Sequence, residues 1–303
     1  MARSLNPFTL PGQWYRGMFH CHTTNSDGAR SVEDAVRWYA DRGYDVLAIT
    51  DHNQLTQAAL AAGSRMLVVP GTEVDAGRSR LGEPYHLVGI GLAEMIDVPR
   101  EVAARHGLPA QTVVDRLRRA GAVVFVAHPY WSGLVVDDLV ALDGIAGLEV
   151  YNTNTEVDVA KGDGSVHWDD CLSARKPLYG VANDDTHWRM GDAGRAWTML
   201  RADGLSGASV TAALASGAFY ASTGAALEDV AFDGETVAVR VAEPGAAEIR
   251  FVCDRRWGRR VAADGAPLRE AAFALRGPER YLRVQVVGPA GERAWTNPLF
   301  VER

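Results

Sequence analysis

The chain has 303 residues, 47% hydrophobic and 23% charged, an ordinary globular composition with room for one large domain or a large and a small one. A formal net charge of -7 argues against general binding to nucleic acid or anionic membranes. Cys21, Cys171 and Cys253 are too widely spaced for a disulfide framework or a thiolate zinc site. No run of about 20 apolar residues offers a membrane span, and the segment before Pro7 lacks a signal-peptide core, so a reduced, cytoplasmic location is the expectation.

In chain order, the first informative stretch is Met18 to Gly28, where an apolar lead-in runs into His20-Cys21-His22 and then a Ser-Asp-Gly turn. In an extended strand His20 and His22 share one face and Cys21 points away, so two imidazoles can meet one metal ion and Asp27 can add an oxygen. Ser31, with Asp34 three residues on, predicts a helix start, and Ala35, Val36, Tyr39 and Ala40 predict its buried side. The apolar run 46–50 predicts a buried strand ending in Asp51-His52. A helix is expected over 55–62, a strand over 66–70 ending near Glu73, and another over 85–91 with His86 near its start. Residues 111–120 carry Val113, Val114 and Leu117 on one helical stripe, and 123–127 is the clearest buried strand, closed by His128-Pro129. Strands are further expected over 147–151 and 178–182, the latter running into Asp184-Asp185-Thr186-His187, and helices over 167–174 and 206–216.

This alternation predicts a parallel α/β class, here a distorted barrel with ligands past its strand ends. Beyond about residue 225 the pattern changes to alternation with period two, at Val237, Val239 and Val241, at Ile249 and Phe251, and at Leu282, Val284 and Val286. That predicts a small antiparallel sandwich over 226–303, following a barrel over 1–225. Its acids Glu228, Asp229, Glu235 and Asp254 share no ligand-like spacing with any histidine, so no metal ligand is expected from it. The apolar ending "AWTNPLFV", with Trp295 and Phe300, is the expected seam to the barrel or to a second subunit.

The motifs "FHCHTTNSDG", "ITDHN", "PGTEVD", "HLVGIG", "VAHPYW" and "NDDTHW", in that order over residues 15–190, resemble the polymerase and histidinol phosphatase (PHP) superfamily of metal-dependent hydrolases. "FYASTGAALEDV" and the β-rich ending resemble the branch with a C-terminal β-sandwich, which includes carbaryl-hydrolase-like enzymes. The resemblance implies a distorted (β/α)7 TIM-like barrel with a trinuclear site. It implies one ion on His20, His22, Glu73 and Asp185, with Glu73 bridging to a second on His86 and His128. A third falls on Asp27, His52 and His187, where relatives often have histidine in place of Asp27. Two or three divalent ions are expected, with Zn, Mn and Fe all suited to nitrogen and oxygen donors. Glu73, Asp185 and His128 are the residues expected to carry catalysis.

The implied activity is hydrolysis of a small phosphorylated metabolite or nucleotide. Two alternatives stay open: hydrolysis of a carboxylic or carbamic ester or an amide, and metal binding without turnover. Asp51 and Asp184 are expected behind the ligands, orienting them. Asn152, Arg78 and Trp131 are candidates for substrate contact, each with a plainer role in capping, solvation or packing. His106 and His167 fall outside the motifs and are expected at the surface or behind ligands. Ser31, Ser132 and Ser222 have no nucleophile-elbow context, so serine hydrolysis is not expected. Oligomeric state is left open.

Overall fold

The computed structural model describes residues 5–56, 65–97, 107–254 and 256–301. Nine strands form the first part of the chain: β1 (Gln13–Met18), β2 (Val46–Ile49), β3 (Leu67–Ala76), β4 (Tyr85–Ile90), β5 (Val123–Val126), β6 (Gly147–Asn152), β7 (Tyr179–Asn183), β8 (Trp197–Ala202) and β9 (Phe219–Ser222). They lie in one sheet in the order β9-β8-β1-β2-β3-β4-β5-β6-β7. β2 is buried along its whole length, as its unbroken apolar run requires. Helix Val32–Ala40 is capped by Ser31, whose hydroxyl accepts from the Asp34 N–H at 3.2 Å, and buries Ala35, Val36 and Tyr39. Helix Ala110–Arg119 buries Val113, Val114 and Leu117, each worth about 1.5–3 kcal/mol of transfer free energy. The helix expected over 55–62 falls largely outside the described residues, and so does His106.

Two expectations are corrected. The sheet is mixed: β1, β2 and β3 run parallel, as do β5, β6 and β7, but β4 is antiparallel to both β3 and β5. The link between β3 and β4, residues 77–84, is too short for the crossover that a parallel partner needs. No closed sheet forms among the described residues either, because β7 has no strand ladder to β1 or β8. β8 instead lies antiparallel on β1. The two margins still meet through scattered bonds. Phe19 N–H donates to the Asn183 side chain at 3.1 Å, and the Thr198 hydroxyl bonds the Ala182 main chain at 3.2 Å on both its N–H and its carbonyl. Past the strand ends, Asp185 N–H donates to the His20 carbonyl and His22 N–H to the Thr186 carbonyl, at 3.0 and 3.1 Å. The sheet is therefore curled but open.

The rest of the chain adds β10 (Leu227–Phe232), β11 (Thr236–Val241), β12 (Glu248–Cys253), β13 (Gly258–Ala262), β14 (Glu270–Ala274), β15 (Tyr281–Val287), β16 (Arg293–Thr296) and β17 (Leu299–Phe300). β10, β11 and β14 make a separate three-stranded antiparallel sheet. β13, β12, β15 and β16 prolong the long sheet, with β16 antiparallel to β9. Val230, Val237, Val239, Val241 and Phe273 of the small sheet share one core with Ile249, Phe251, Val284 and Val286 of the long one, so the period-two pattern buries one face of each layer.

The apolar ending is a seam, as its composition implies. Trp295 is buried against the Tyr151 ring, and Phe300 packs on the same cluster. The Asn297 side chain accepts from Gly180 N–H at 3.0 Å and donates to the Gly217 and Phe219 carbonyls at 3.1 Å. Buried Arg283 grips Asp169 with two bonds of 2.7 and 2.6 Å. No helix among the described residues is long and apolar enough to cross a membrane.

Candidate metal centre

Past Met18 the chain stays extended, and the expected alternation holds. Cys21 packs with Met18, Leu47 and Ile49, while His20 and His22 turn to the other side. Their Nε2 atoms face each other at 3.2 Å. Glu73 Oε2 from β3 is 3.2 and 3.1 Å from them, and Asp185 Oδ1 from the end of β7 is likewise 3.2 and 3.1 Å away. Five of the six separations among these four buried donor atoms are thus 3.1 to 3.2 Å. Donors on a tetrahedral ion with bonds of about 2.0–2.1 Å stand about 3.3 Å apart, so these separations fit a metal. Asp185 Oδ1 is buried without a hydrogen-bond partner, and the two imidazole nitrogens beside it face one point, as donors to a shared cation would. The residues present fit the group.

Glu73 reaches further. Its Oε1 is 2.9 Å from His86 Nδ1 and 3.4 Å from His128 Nε2, and its Oε2 is 3.4 Å from His52 Nδ1. One convergent group is His52, Glu73 and His86, another is His22, Asp27, His52 and His187. The second of these adds His22 to the expected trio and puts His187 Nε2 at 3.3 Å from Asp27 Oδ2. His128 lies beside Glu73 and Asp185 but outside the tightest groups. Among the described residues, no group draws a ligand from 226–303.

Burial works against charge on His20 and His22, yet the surrounding carboxylates prevail. Asp185, Glu73 and Glu149 hold His20 well above the usual histidine range, and Asp185 and Glu73 push His22 up to about 9. Burial likewise opposes charge on Glu73 and Asp185, and the imidazoles around them hold both well below the usual carboxylate range. An incoming ion would compete with protons on His20 and His22, so metal affinity is expected to fall as pH falls.

Asp51 joins none of the convergent groups among the described residues. Its carboxylate accepts from Thr23 N–H and the Thr23 and Ser26 hydroxyls, each at 2.7 Å, and from the Thr56 hydroxyl at 2.5 Å, fixing the loop that carries Asp27. Asp184 points away from its neighbour Asp185. It accepts from the Tyr39 hydroxyl and from the Arg195 and Ala196 amides, all at 2.9 Å, and burial pushes it up to about 6. Asn152 is buried: its amide donates to Glu149 Oε2 and Asp185 Oδ2 at 2.6 and 3.1 Å, and its oxygen accepts from Thr155. That uses its hydrogen-bonding capacity inside the protein, leaving none for a substrate. Trp131 is 41% exposed and sets its ring edge-on to His128 and His86, at 5.0 and 5.7 Å, as a wall of the site. Arg78 lines a cavity of about 150 Å³ with Asn53, Asp75, Gly77 and Pro84. His167 bonds the Leu134 carbonyl, apart from the cluster.

One central residue carries no motif. Glu149, buried in β6, accepts from four groups: His20 Nδ1 at 2.9 Å, His128 N–H at 2.9 Å, the Asn152 amide at 2.6 Å and the Asn183 amide at 3.0 Å. It fixes the His20 ring so that Nε2 faces the other ligands. The signal was a lone acid between Leu148 and Val150, in a strand that is buried along most of its length. Glu149→Gln is expected to weaken metal binding about 10–100-fold with secondary structure unchanged. Competition against a chromophoric chelator, beside far-ultraviolet circular dichroism, checks this.

Residues 19–161 match the PHP domain family. The DNA polymerase/3'-5' exonuclease PolX of Bacillus subtilis is 28% identical over 132 residues, 38% of this chain and 23% of that protein. The phosphoribosyl 1,2-cyclic phosphate 1,2-diphosphodiesterase of Eggerthella lenta is 38% identical over 81 residues, 25% of this chain and 30% of that protein. The chain therefore spans less than a third of either relative's length. A two-domain protein from Bacteroides vulgatus, described as containing a predicted PHP-like metal-dependent phosphoesterase, superposes with a TM-score of 0.51 at 15% identity, covering 99% of this chain and 100% of that one. The PHP domain match, residues 19–161, takes in a little under half of the chain and holds His20, His22, Asp27, His52, Glu73, His86 and His128, while Asp185 and His187 lie beyond it.

Proposed function

We propose that the chain is a metal-dependent hydrolase, a phosphoesterase acting on a small phosphorylated metabolite or nucleotide. The observation that carries this reading is the sharing of Glu73 between convergent groups of ligands in a PHP domain. The names of the two curated relatives, a diphosphodiesterase and an exonuclease, support P–O cleavage as the chemistry. In our reading two or three ions of Zn, Mn or Fe would supply hydroxide near neutral pH and polarise a phosphoryl oxygen. The chain's residues do the rest. Glu73 and Asp185 offset the positive charge, and His128 is held by the Ser132 hydroxyl at 2.9 Å and by Glu149. Trp131 screens the site from water on one side, and Arg78 offers a cation to an anionic part of the substrate.

In the same reading residues 1–225 form a catalytic unit of distorted-barrel descent, and 226–303 a β-sandwich that packs on it. The free, buried state of Cys21, Cys171 and Cys253 supports a reducing compartment. The test is turnover of generic phosphate monoesters, phosphate diesters and carboxylate esters, with and without added Mn or Zn. Metal-dependent release of phosphate or phosphomonoester is the expected result. Metal-dependent cleavage of carboxylate esters alone would move the assignment to that bond, and binding of metal without any turnover would remove catalysis.

A further inference from the structure

We propose that Lys161 binds a second negative charge on the substrate, beyond the scissile phosphate, an inference that rests on the phosphoesterase reading above and narrows its substrate. Lys161 is one of two lysines in the chain. Lys176 is tied to Asp143 at 3.0 Å, but Lys161 makes no ion pair among the described residues, and its Nζ stands 5.6 Å from the centroid of the Tyr130 ring. Tyr130 and its neighbour Trp131 are 46% and 41% exposed, and Trp131 is the wall beside His128 and His86. A free ammonium thus borders the aromatic rim of the site without joining any group of ligands.

The backbone brings Lys161 there. β6 pairs with β5 only at Gly147 and Leu148, and past them residues 162–164 lie against it instead. Asn152 N–H donates to the Gly162 carbonyl and Gly164 N–H to the Val150 carbonyl, both at 3.0 Å. Only glycine fits so near: a Cβ on Gly162 would come within 2.2 Å of the Asn152 carbonyl oxygen, and one on Gly164 within 2.4 Å of the Glu149 carbonyl oxygen. The pairing sets Lys161 one residue beyond Asn152, at the strand end where the Asn152 side chain also bonds Asp185. Both main-chain polar groups of Lys161 are fixed, its N–H on the Thr155 carbonyl at 3.1 Å and its carbonyl by the Thr155 hydroxyl at 3.4 Å. Across the seam, Arg293 of β16 bonds the Asp163 carboxylate, and its guanidinium lies 4.9 Å from the centroid of the Tyr151 ring. Arg293 is therefore a positioning residue, acting on Lys161 through Asp163. With its backbone held and its ammonium unpaired, Lys161 offers a cation to a carboxylate or phosphate at the far end of a substrate whose near end lies at the metal centre.

The experiment uses the full chain with added Mn or Zn and three series of straight-chain alkyl phosphates, ending in a carboxylate, a second phosphate or a neutral carboxamide. Each series has short, medium and long spacers, and the leaving alkoxide is alike in all, so KM compares the far ends. At one spacer length an anionic end is expected to lower KM at least about fivefold against the carboxamide at low salt, an advantage that shrinks as salt is added. Whichever anionic series shows it identifies the group. Lys161→Met is expected to bring that ratio to about one, and because Lys161 is exposed its loss does not threaten the fold. Arg293→Met and Asp163→Asn are each expected to reduce the ratio, and the double variant no further than either alone. Arg293→Met that slows all three series equally, with the ratio intact, would overturn its positioning role. A wild-type ratio near one at every spacer length, or a ratio that survives K161M, would overturn the proposal. No turnover in any series would instead overturn the phosphoesterase reading, and the two failures are distinct.

Discussion

Glu73→Gln is expected to lower turnover about a thousandfold or more while leaving the fold intact. Glu73 faces five imidazoles, those of His20, His22, His52, His86 and His128, within 2.9 to 3.4 Å. Gln keeps the volume, so packing is preserved. It removes the negative charge that two groups of ligands share, and one of its two acceptor oxygens becomes an amide donor aimed at imidazole nitrogens. Paired ions would lose their common ligand, and hydroxide formation near neutral pH would lose its support. Steady-state rates with saturating metal, together with metal content, check the result. A rate near wild type would show that Glu73 is not the shared carboxylate.

Truncation after residue 225 is expected to yield insoluble or self-associating protein that still contains the ligand set. β9 loses its β16 partner, leaving an unpaired strand edge, and the surfaces that cover Trp168 and Tyr151 are removed with Arg283 and Trp295. The Asn297 side chain, which joins Gly180 to Gly217 and Phe219, goes too. Size-exclusion chromatography of the truncated chain, followed by assay of any soluble fraction, is the measurement. A soluble monomer with unchanged kinetics would make 226–303 an independent appendage and refute the packing role.

The sequence disclosed those features whose cause is local. The spacing of His20 and His22 is a strand period, and Ser31 caps its helix through an atom three residues away, so both could be read directly. The alternating valines at 237, 239 and 241 gave a buried face for the same reason. Glu149 was hidden because its meaning comes from partners at His20, His128, Asn152 and Asn183, three of them more than 20 residues away, and no spacing encodes that. Asn152 looked available to a substrate because its position at a strand end was visible and its four internal bonds were not. The reversed β4 and the open margin between β7 and β1 depend on how strands pair across the whole sheet. A buried apolar run reads the same in either direction.

The open margin gives the ligands a mechanical meaning. His20 and His22 follow β1, an inner strand flanked by β8 and β2, and Asp185 and His187 follow the edge strand β7, more than 160 residues away along the chain. An ion bound across them would clasp a seam that no ladder stitches, and it would stabilise the folded chain alone, because the site does not exist in the unfolded one. Stability would then follow metal concentration by mass action. The supply of metal in the cell would thus govern how long each molecule survives as well as how fast it works.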